Sequence, residues 1–298
     1  MKRNIYTTLF LLLFTISTLS AQEKVDRNLL LKHHIGEMRI YSHLIQAGKA
    51  TSDSSLYYVY KYDEKGNLIV NTRIAPGGSF CYKYESYYQQ DTFKVKTLGY
   101  KSEGVLETQF DYKHDGNGNL VYTKQTSLRP DDKSKPLENF LVYNDKNQYT
   151  EAYMDYGAGK HIVAQNTYDD KGNCIKTINM LPDGKPYKTT TTVYNEQNQP
   201  VKTYSITEKK KKKQKNLISE MIYDTQGRIA VRKVRINQSA TFSIDGFDRK
   251  AKKGDRTEMR YRYDARSFLA EKSYFVNSVL FFKLTYSYSV PSPNVSKE

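Results

Sequence analysis

Five histidines, two cysteines and many carboxylates are the groups with which this chain could hold a metal or break a bond. The histidines are His33, His34, His43, His114 and His161, and none stands in an HExxH pattern. His33 and His34 are adjacent, so on a strand they would point to opposite faces. Cys81 and Cys174 lie far apart in sequence; in an extended array their Cα atoms would exceed the roughly 7 Å that a disulfide tolerates, so both are expected free. A GxSxG elbow, a Walker loop and a dinucleotide fingerprint are absent from the sequence. Asp115, Asn117 and Asn119 alternate oxygen ligands as a calcium loop does. An EF-hand needs glycine at the sixth place, where Leu120 stands, and no distal Glu follows at the right spacing. The expectation is therefore no metal, no cofactor and no catalytic residue. A carboxylate couple of the glycosidase kind is the enzymatic alternative, and nothing in the sequence pairs one.

Most of the carboxylates have a simpler role. YKYDEKGNL at Tyr60 to Leu68 returns as YKHDGNGNL at Tyr112 to Leu120, TYDDKGNCI at Thr167 to Ile175 and IYDTQGRIA at Ile222 to Ala230. Weaker copies are VYNDKNQYT at Val142, VYNEQNQPV at Val193 and RYDARSFLA at Arg262. A strand arriving on Tyr62 must reverse before leaving on Leu68. Asp63, Asp115, Asp169, Asp224 and Asp264 can accept from backbone N–H groups two residues on. Gly66, Gly118, Gly172 and Gly227 supply the positive φ such a turn needs, and Asn67, Asn119 and Asn173 tolerate the left-handed region. Tyr62, Tyr168 and Tyr223 end the arriving strands, whose aromatic and β-branched residues favour extended backbone. Each copy reads as a hairpin turn.

The turns recur. Taking the aromatic before the acid as register gives Tyr62, His114, Tyr143, Tyr168, Tyr194, Tyr223 and Tyr263, with decayed copies at Tyr88 and Tyr288, about 26 residues apart. A second, more variable turn lies between copies, as PGG at Pro76, GAG at Gly157 and PDG at Pro182. Each unit is then strand, distal turn, strand, Tyr-Asp turn. The fold class expected is all-β: an antiparallel β-hairpin repeat array, an extended twisted meander or open solenoid-like sheet, with a short N-terminal helix allowed. The pattern leaves open whether the array is flat, spiral or partly closed. Repeated Tyr at one register would form an aromatic ladder, read as a staple between units and alternatively as a stacking row for sugars or bases.

These phrases resemble the bacterial YD-repeat, or rearrangement-hotspot, family, whose hallmark is Tyr-Asp-x-x-Gly-(Arg/Asn)-Leu. The resemblance runs from about Tyr58 to Tyr288. It implies hairpin geometry without enzymatic residues. Large members of that family wind hairpins into a hollow shell around a toxin; here no toxin domain or autoproteolytic cap follows, and nine units look too few to close such a shell.

Residues 1–21 read as a secretory signal: Lys2 and Arg3, then the apolar run Leu9 to Ile16, then Leu19-Ser20-Ala21. No other membrane segment is expected after it is removed. Residues 22–36 form a lead-in, with a helix around Glu23 to Lys32. Met38 to Gln46 is read as the entering strand of the first hairpin, and a helix over Leu30 to Ile45 competes with that reading. The repeat domain is set at 37–290, with a frayed tail at 291–298.

The chain carries 47 Lys and Arg against 32 Asp and Glu, a net +15, and +13 without Lys2 and Arg3. Two insertions concentrate the excess: Lys209, Lys210, Lys211, Lys212, Lys213 and Lys215 in one, Arg249, Lys250, Lys252 and Lys253 in the other. Both tips should emerge from one edge, on adjacent hairpins. Such runs bind polyanions in a salt-dependent way, or are merely solvated tips. The function expected is non-enzymatic: an exported protein of the periplasm, outer-membrane surface or cell exterior. It would offer a basic, Tyr-rich surface to an acidic polysaccharide, lipopolysaccharide, other envelope polymer or partner protein. Nucleic acid enters only as an extracellular polyanion. The alternative is a structural accessory subunit of an envelope complex, paired through hairpin edges; a glycan hydrolase ranks behind both.

Overall fold

The structure, a computed structural model, describes residues 25–291 except 76–77, 102–103, 210–211, 237–239, 245–246 and 253. Within 207–213 and 237–251 it describes at most the backbone. The expected signal at 1–21 and most of the expected tail lie outside the described residues.

A short helix α1 (Arg27–Lys32) precedes the strands, capped by Asp26, whose carboxylate accepts from the Asn28 N–H at 2.8 Å. Sixteen of the strands run β1 (Glu37–Gln46), β2 (Lys49–Tyr62), β3 (Leu68–Ile74), β4 (Phe80–Gln89), β5 (Phe93–Lys101), β6 (Val105–His114), β7 (Leu120–Ser127), β8 (Leu137–Tyr143), β9 (Tyr149–Asp155), β10 (His161–Tyr168), β11 (Cys174–Met180), β12 (Pro186–Tyr194), β13 (Pro200–Lys209), β14 (Lys212–Tyr223), β15 (Ile229–Arg235) and β16 (Ala240–Ile244). Then come β17 (Phe247–Ala251), β18 (Arg256–Tyr263), β19 (Leu269–Val276) and β20 (Val279–Ser289). Met38 to Gln46 is thus strand, and the helix lies upstream. His33 caps α1 and His34 follows in a left-handed turn (φ 52°), so the histidine pair is not on a strand.

Eighteen strands form one sheet in which each pairs antiparallel with its sequence neighbour, β15 passing directly to β18; β16 and β17 make a separate hairpin. The last strand then pairs with the first, Ser289 facing Glu37 and Tyr286 facing Ile40. The ring is closed. Nine two-stranded units suffice, which corrects the expectation of an open array.

The turn chemistry explains the closure. At Tyr62–Leu68 the Gly66 N–H donates to the Asp63 carbonyl (2.9 Å) and the Asp63 N–H to the Asn67 carbonyl (3.0 Å), with Gly66 at φ 73°. Tyr62 faces Leu68 while Lys61 faces Val70, so Ile69 is an extra residue. The same bulge follows the turns at Asp115, Asn144, Asp169, Asn195, Asp224 and Asp264. A bulge raises local twist and bends the strand. Repeated at one register, it coils the sheet until its ends meet. At the seam the bend is sharpest: β2 and β20 come within 8 Å of each other across β1. Met38 and Ile40 are buried there while Arg39 between them is exposed, so their row lies on the concave face.

The core is an arc on that face. Met38, Ile40, Tyr57, Tyr58, Tyr274, Phe282 and Leu284 pack together. A second cluster, Leu30, Ile35 and Phe268 beside Tyr62 and Tyr288, folds α1 against the end of the barrel that carries the Tyr-Asp turns. That end is called the near rim, and the opposite end the distal rim.

Candidate functional site

Paired residues across a sheet share a face, so the ladder assigns every row. Starting from Ile40 and Tyr58, the concave row passes Arg73, Tyr82, Lys101, then from Tyr84 to Gly99, Thr108 and Ser127. It continues through Thr123, Asn139, Met154 and Ala152 to Ala164, Asn179 and Lys188. Thr190, Ser205, Thr203, Ser219, Val234, Thr257, Met259 and Tyr274 return it to Phe282 and the seam. The assignment closes on itself around the eighteen strands.

Charge segregates along these rows. Glu37, Glu85, Asp111, Glu138, Glu151, Asp155, Glu220, Glu258 and Glu271 all fall on the convex row. There they meet cations: Lys83 lies 2.8 Å from Glu85, Arg260 2.6 Å from Glu258, and Lys283 2.9 Å from Glu271. On the concave row the charged partners in register are basic: Arg73, Lys94, Lys101, Lys188, Arg232 and Lys272. Sequence reading missed these six, although alternation along each strand separates Arg73 from Thr72 and Lys272 from Glu271.

Aromatic rings surround several of them. The Arg73 guanidinium donates to the Tyr57 hydroxyl at 3.2 Å and lies 5.3 Å from that ring's centre. Lys94 sits 5.7 Å and 5.9 Å from the Tyr88 and Tyr112 rings. Lys272, 3% exposed, lies 5.0 Å from Tyr274 and 5.6 Å from Tyr261. Burial lowers its ammonium to about 7, and also draws Lys188 below the usual lysine range. Away from the seam the wall is mostly Thr, Ser and Asn, with an apolar patch at Ala152 and Met154: Thr177 donates to Asn166 at 2.8 Å and Asn139 to Thr123 at 3.0 Å. Buried donors remain at Asn179 Nδ2 and Arg232 Nε.

The repeat-turn residues come together as the sequence implied. Asp63 accepts from the Lys65 and Asn67 N–H groups, Asp115 from Asn117 and Asn119, Asp169 from Lys171 and Asn173, and Asp224 from Gln226 and Arg228. The Asn119 amide, which donates to Asp115 Oδ2 at 3.0 Å, holds that carboxyl below its usual range. Its oxygens are occupied by its own turn. Turns also touch sideways: Asn67 Nδ2 donates to the Asp91 carbonyl and Asn173 Nδ2 to Asn198 Oδ1. The register tyrosines form the expected staple. Tyr88, Tyr168, Tyr194, Tyr223, Tyr263 and Tyr288 each donate to the first carbonyl past the previous turn, at Leu68, Tyr149, Cys174, Pro200, Ile229 and Leu269, over 2.6–3.1 Å. Burial pushes Tyr88, Tyr168 and Tyr194 up to about 12.

Of the basic-tip residues, Lys215 and Lys252 are exposed, Lys215 lying 4.2 Å from the Tyr204 ring. Lys209, Lys212, Lys213, Arg249 and Lys250 are placed by backbone only, while Lys210, Lys211 and Lys253 lie outside the described residues. Both insertions interrupt distal turns. The histidines are scattered; His43 Nε2 lies 2.9 Å from Thr285 Oγ1 and His161 stacks on Tyr156. Among the described residues no cluster of metal-ligating side chains occurs. Cys81 and Cys174 are free.

No protein-family model and no curated relative matches the chain. Among solved structures it is similar to a porin-like protein from Bacteroides uniformis, at 10% identity and TM-score 0.42, covering 86% of this chain and 98% of that one. A porin-like protein from Bacteroides vulgatus gives 10% identity and TM-score 0.32, covering 84% and 97%. The Photorhabdus luminescens Tc holotoxin pore gives 10% and 0.31, covering 82% of this chain but 18% of that one. The architecture rests on the strand pairings themselves. With no family model matched and the strands closed into a barrel, the assignment to the YD-repeat family is withdrawn, and the turn phrase stands as local hairpin chemistry.

Proposed function

We propose that this chain is a non-enzymatic, exported barrel of the cell envelope that takes an acidic polymer against its inner wall. The observation that carries the reading is the segregation of charge: paired acids face outward, and the inner wall keeps Arg73, Lys94, Lys101, Lys188, Arg232 and Lys272. A wall of one sign in a concave, partly desolvated setting concentrates the opposite charge. A barrel of this strand number leaves room for it, about 35 Å between opposite backbones were the section circular. Tyr, Thr and Asn between the cations suit hydroxyl-rich glycans.

The apolar leader at 1–21 supports export. The convex wall supports an aqueous surround: a lipid-spanning barrel needs an apolar outer band about 25 Å tall, and Lys83, Glu85, Glu138 and Glu258 interrupt one here. For the accessory-subunit alternative, each barrel strand already has two partners, which leaves the separate β16–β17 hairpin as the place where strand edges could pair with another protein. Titration with dextran sulfate and with neutral dextran tests the proposal. Binding should be confined to the sulfated polymer, weaken as salt rises, and drop about tenfold or more in a Lys94→Ser, Lys101→Ser, Lys188→Ser variant. Binding that ignores salt, or that the triple variant keeps, would refute it.

A further inference from the structure

The distal rim has a composition that the inner wall does not account for. Large apolar side chains stand exposed on its separate hairpins: Leu44 (54%), Val105 (54%), Leu128 (39%), Leu181 (42%) and Val279 (52%). Between them are exposed cations, among them Lys49, Lys133, Lys135, Lys160 and Lys185. The near-rim turns differ: acids outnumber bases there, as in Asp63-Glu64-Lys65, Asp169-Asp170-Lys171 and Asn195-Glu196-Gln197.

We propose that the distal rim docks on an anionic lipid surface, with the aliphatic tips dipping into the headgroup layer and the lysines meeting lipid phosphates. Three points select that occupant. The apolar residues are spread over five hairpins, at strand ends or in turns, so a folded protein partner would meet them one at a time, whereas a fluid interface receives each independently. The exposed lysines at this rim complement an anionic leaflet. A second copy of the chain docked distal rim to distal rim would present the same sign of charge to it. The barrel would then stand with its distal mouth toward the membrane and its acidic turns in water, a rim-mounted state distinct from spanning.

Co-sedimentation of the purified protein with phosphatidylcholine vesicles, with and without phosphatidylglycerol, tests this. The protein should pellet with the anionic vesicles and stay in solution with the neutral ones. A Leu44→Ser, Val105→Ser, Leu181→Ser variant should lose at least about fivefold of the bound fraction. A matched near-rim variant, Val142→Ser, Val193→Ser, Ile222→Ser, removes three apolar residues of 41% exposure each and should bind as the parent does. Failure to pellet with anionic vesicles, or equal binding by the tip variant and the parent, overturns the proposal. Far-ultraviolet circular dichroism establishes that both variants fold. The dextran sulfate titration reads the inner wall separately, so either idea can fail alone.

Discussion

At the near rim seven turns repeat one set of bonds, an Asp or Asn side chain accepting from the N–H two residues on, whether the turn begins at Asp63, Asp115, Asn144, Asp169, Asn195, Asp224 or Asp264. At the distal rim the connections range from the Ala47–Gly48 pair to the whole stretch between Ile236 and Asp255; the near-rim backbone bonds recur there only at Ala75–Ser79 and Leu181–Lys185 among the described bonds. The difference follows from what each end must do. Near-rim turns touch one another through Asn67, Asn119, Asn173 and Gln199 and are stapled by tyrosines, so each must match its neighbour in shape. Distal turns touch sideways at two described places, where Lys135 Nζ donates to the Gly157 carbonyl and Asn277 Nδ2 to Asp255 Oδ1, and no tyrosine staples them there. They are free to carry charge and apolar tips.

The largest expected effect tests what joins the two ends along the seam. Lys272 lies inside the aromatic arc, and burial holds its ammonium near 7, well below the ordinary lysine value of about 10.4. Between those values the unfolded chain binds the proton and the folded chain does not, so stability should rise with pH through that window and be lowest below it. Lys272→Met should raise stability near pH 6 by roughly 2–4 kcal/mol and flatten its rise between about pH 7 and 10. Urea unfolding at several pH values measures both. A destabilised Lys272→Met would mean that the seam depends on the charge.

A paired glycine experiment then compares the rims directly. Gly118 in the near rim has φ 82°, and an added Cβ would lie 2.9 Å from the Phe93 ring; Gly184 in the distal rim has φ 78° and open space around it. The left-handed backbone alone costs about 1–2 kcal/mol for a side chain. Gly184→Ala should cost that much, and Gly118→Ala about 2–3 kcal/mol because the ring must also shift. Equal costs would remove the claim that near-rim turns are constrained by their neighbours.

The near rim was the legible part of the sequence because its chemistry is local. Asp63, Gly66 and Asn67 satisfy one another within five residues, so phrase and structure coincide. Even the decayed copies were readable: Asn147, Asn198 and Ser267 take the left-handed slot that Gly66 fills, with φ of 57°, 58° and 70°. Closure was not legible, since it depends on small bends summed over the seven near-rim bulges and on Glu37 meeting Ser289 at opposite ends of the chain. The inner cations were hidden for the same reason. Which side of Thr72-Arg73 is concave is decided by the curvature, and the sequence alone gave the basic runs of the distal tips instead.

Stapling can be sharpened by removing one oxygen. Tyr223 donates to the Pro200 carbonyl at 2.8 Å from a half-buried position. Tyr223→Phe leaves the ring and deletes the bond, so the expected loss is about 1 kcal/mol. Hydrogen exchange should report faster opening at the turns on either side, around Asn195 and Asp224, with little change at the distal Pro182–Gly184 turn. Loosening at both rims alike would make the tyrosine a general core residue.

The smallest effect should come from the distal rim's own ion pair. Asp183 and Lys185 lie 2.9 Å apart, with side chains 52% and 78% exposed. The Lys185 side chain, bonded to the Asp183 carboxyl, holds that group below its usual range. That shift carries little stability, because water and salt screen the pair and ordering two exposed side chains offsets the attraction. Lys185→Ser should therefore leave the unfolding free energy unchanged within measurement error, below the effect of deleting one half-buried near-rim hydroxyl. If Lys185→Ser instead cost as much as Tyr223→Phe, the distal turns would share the structural duty assigned here to the near rim, and their charge would have to be explained by folding before any membrane surface.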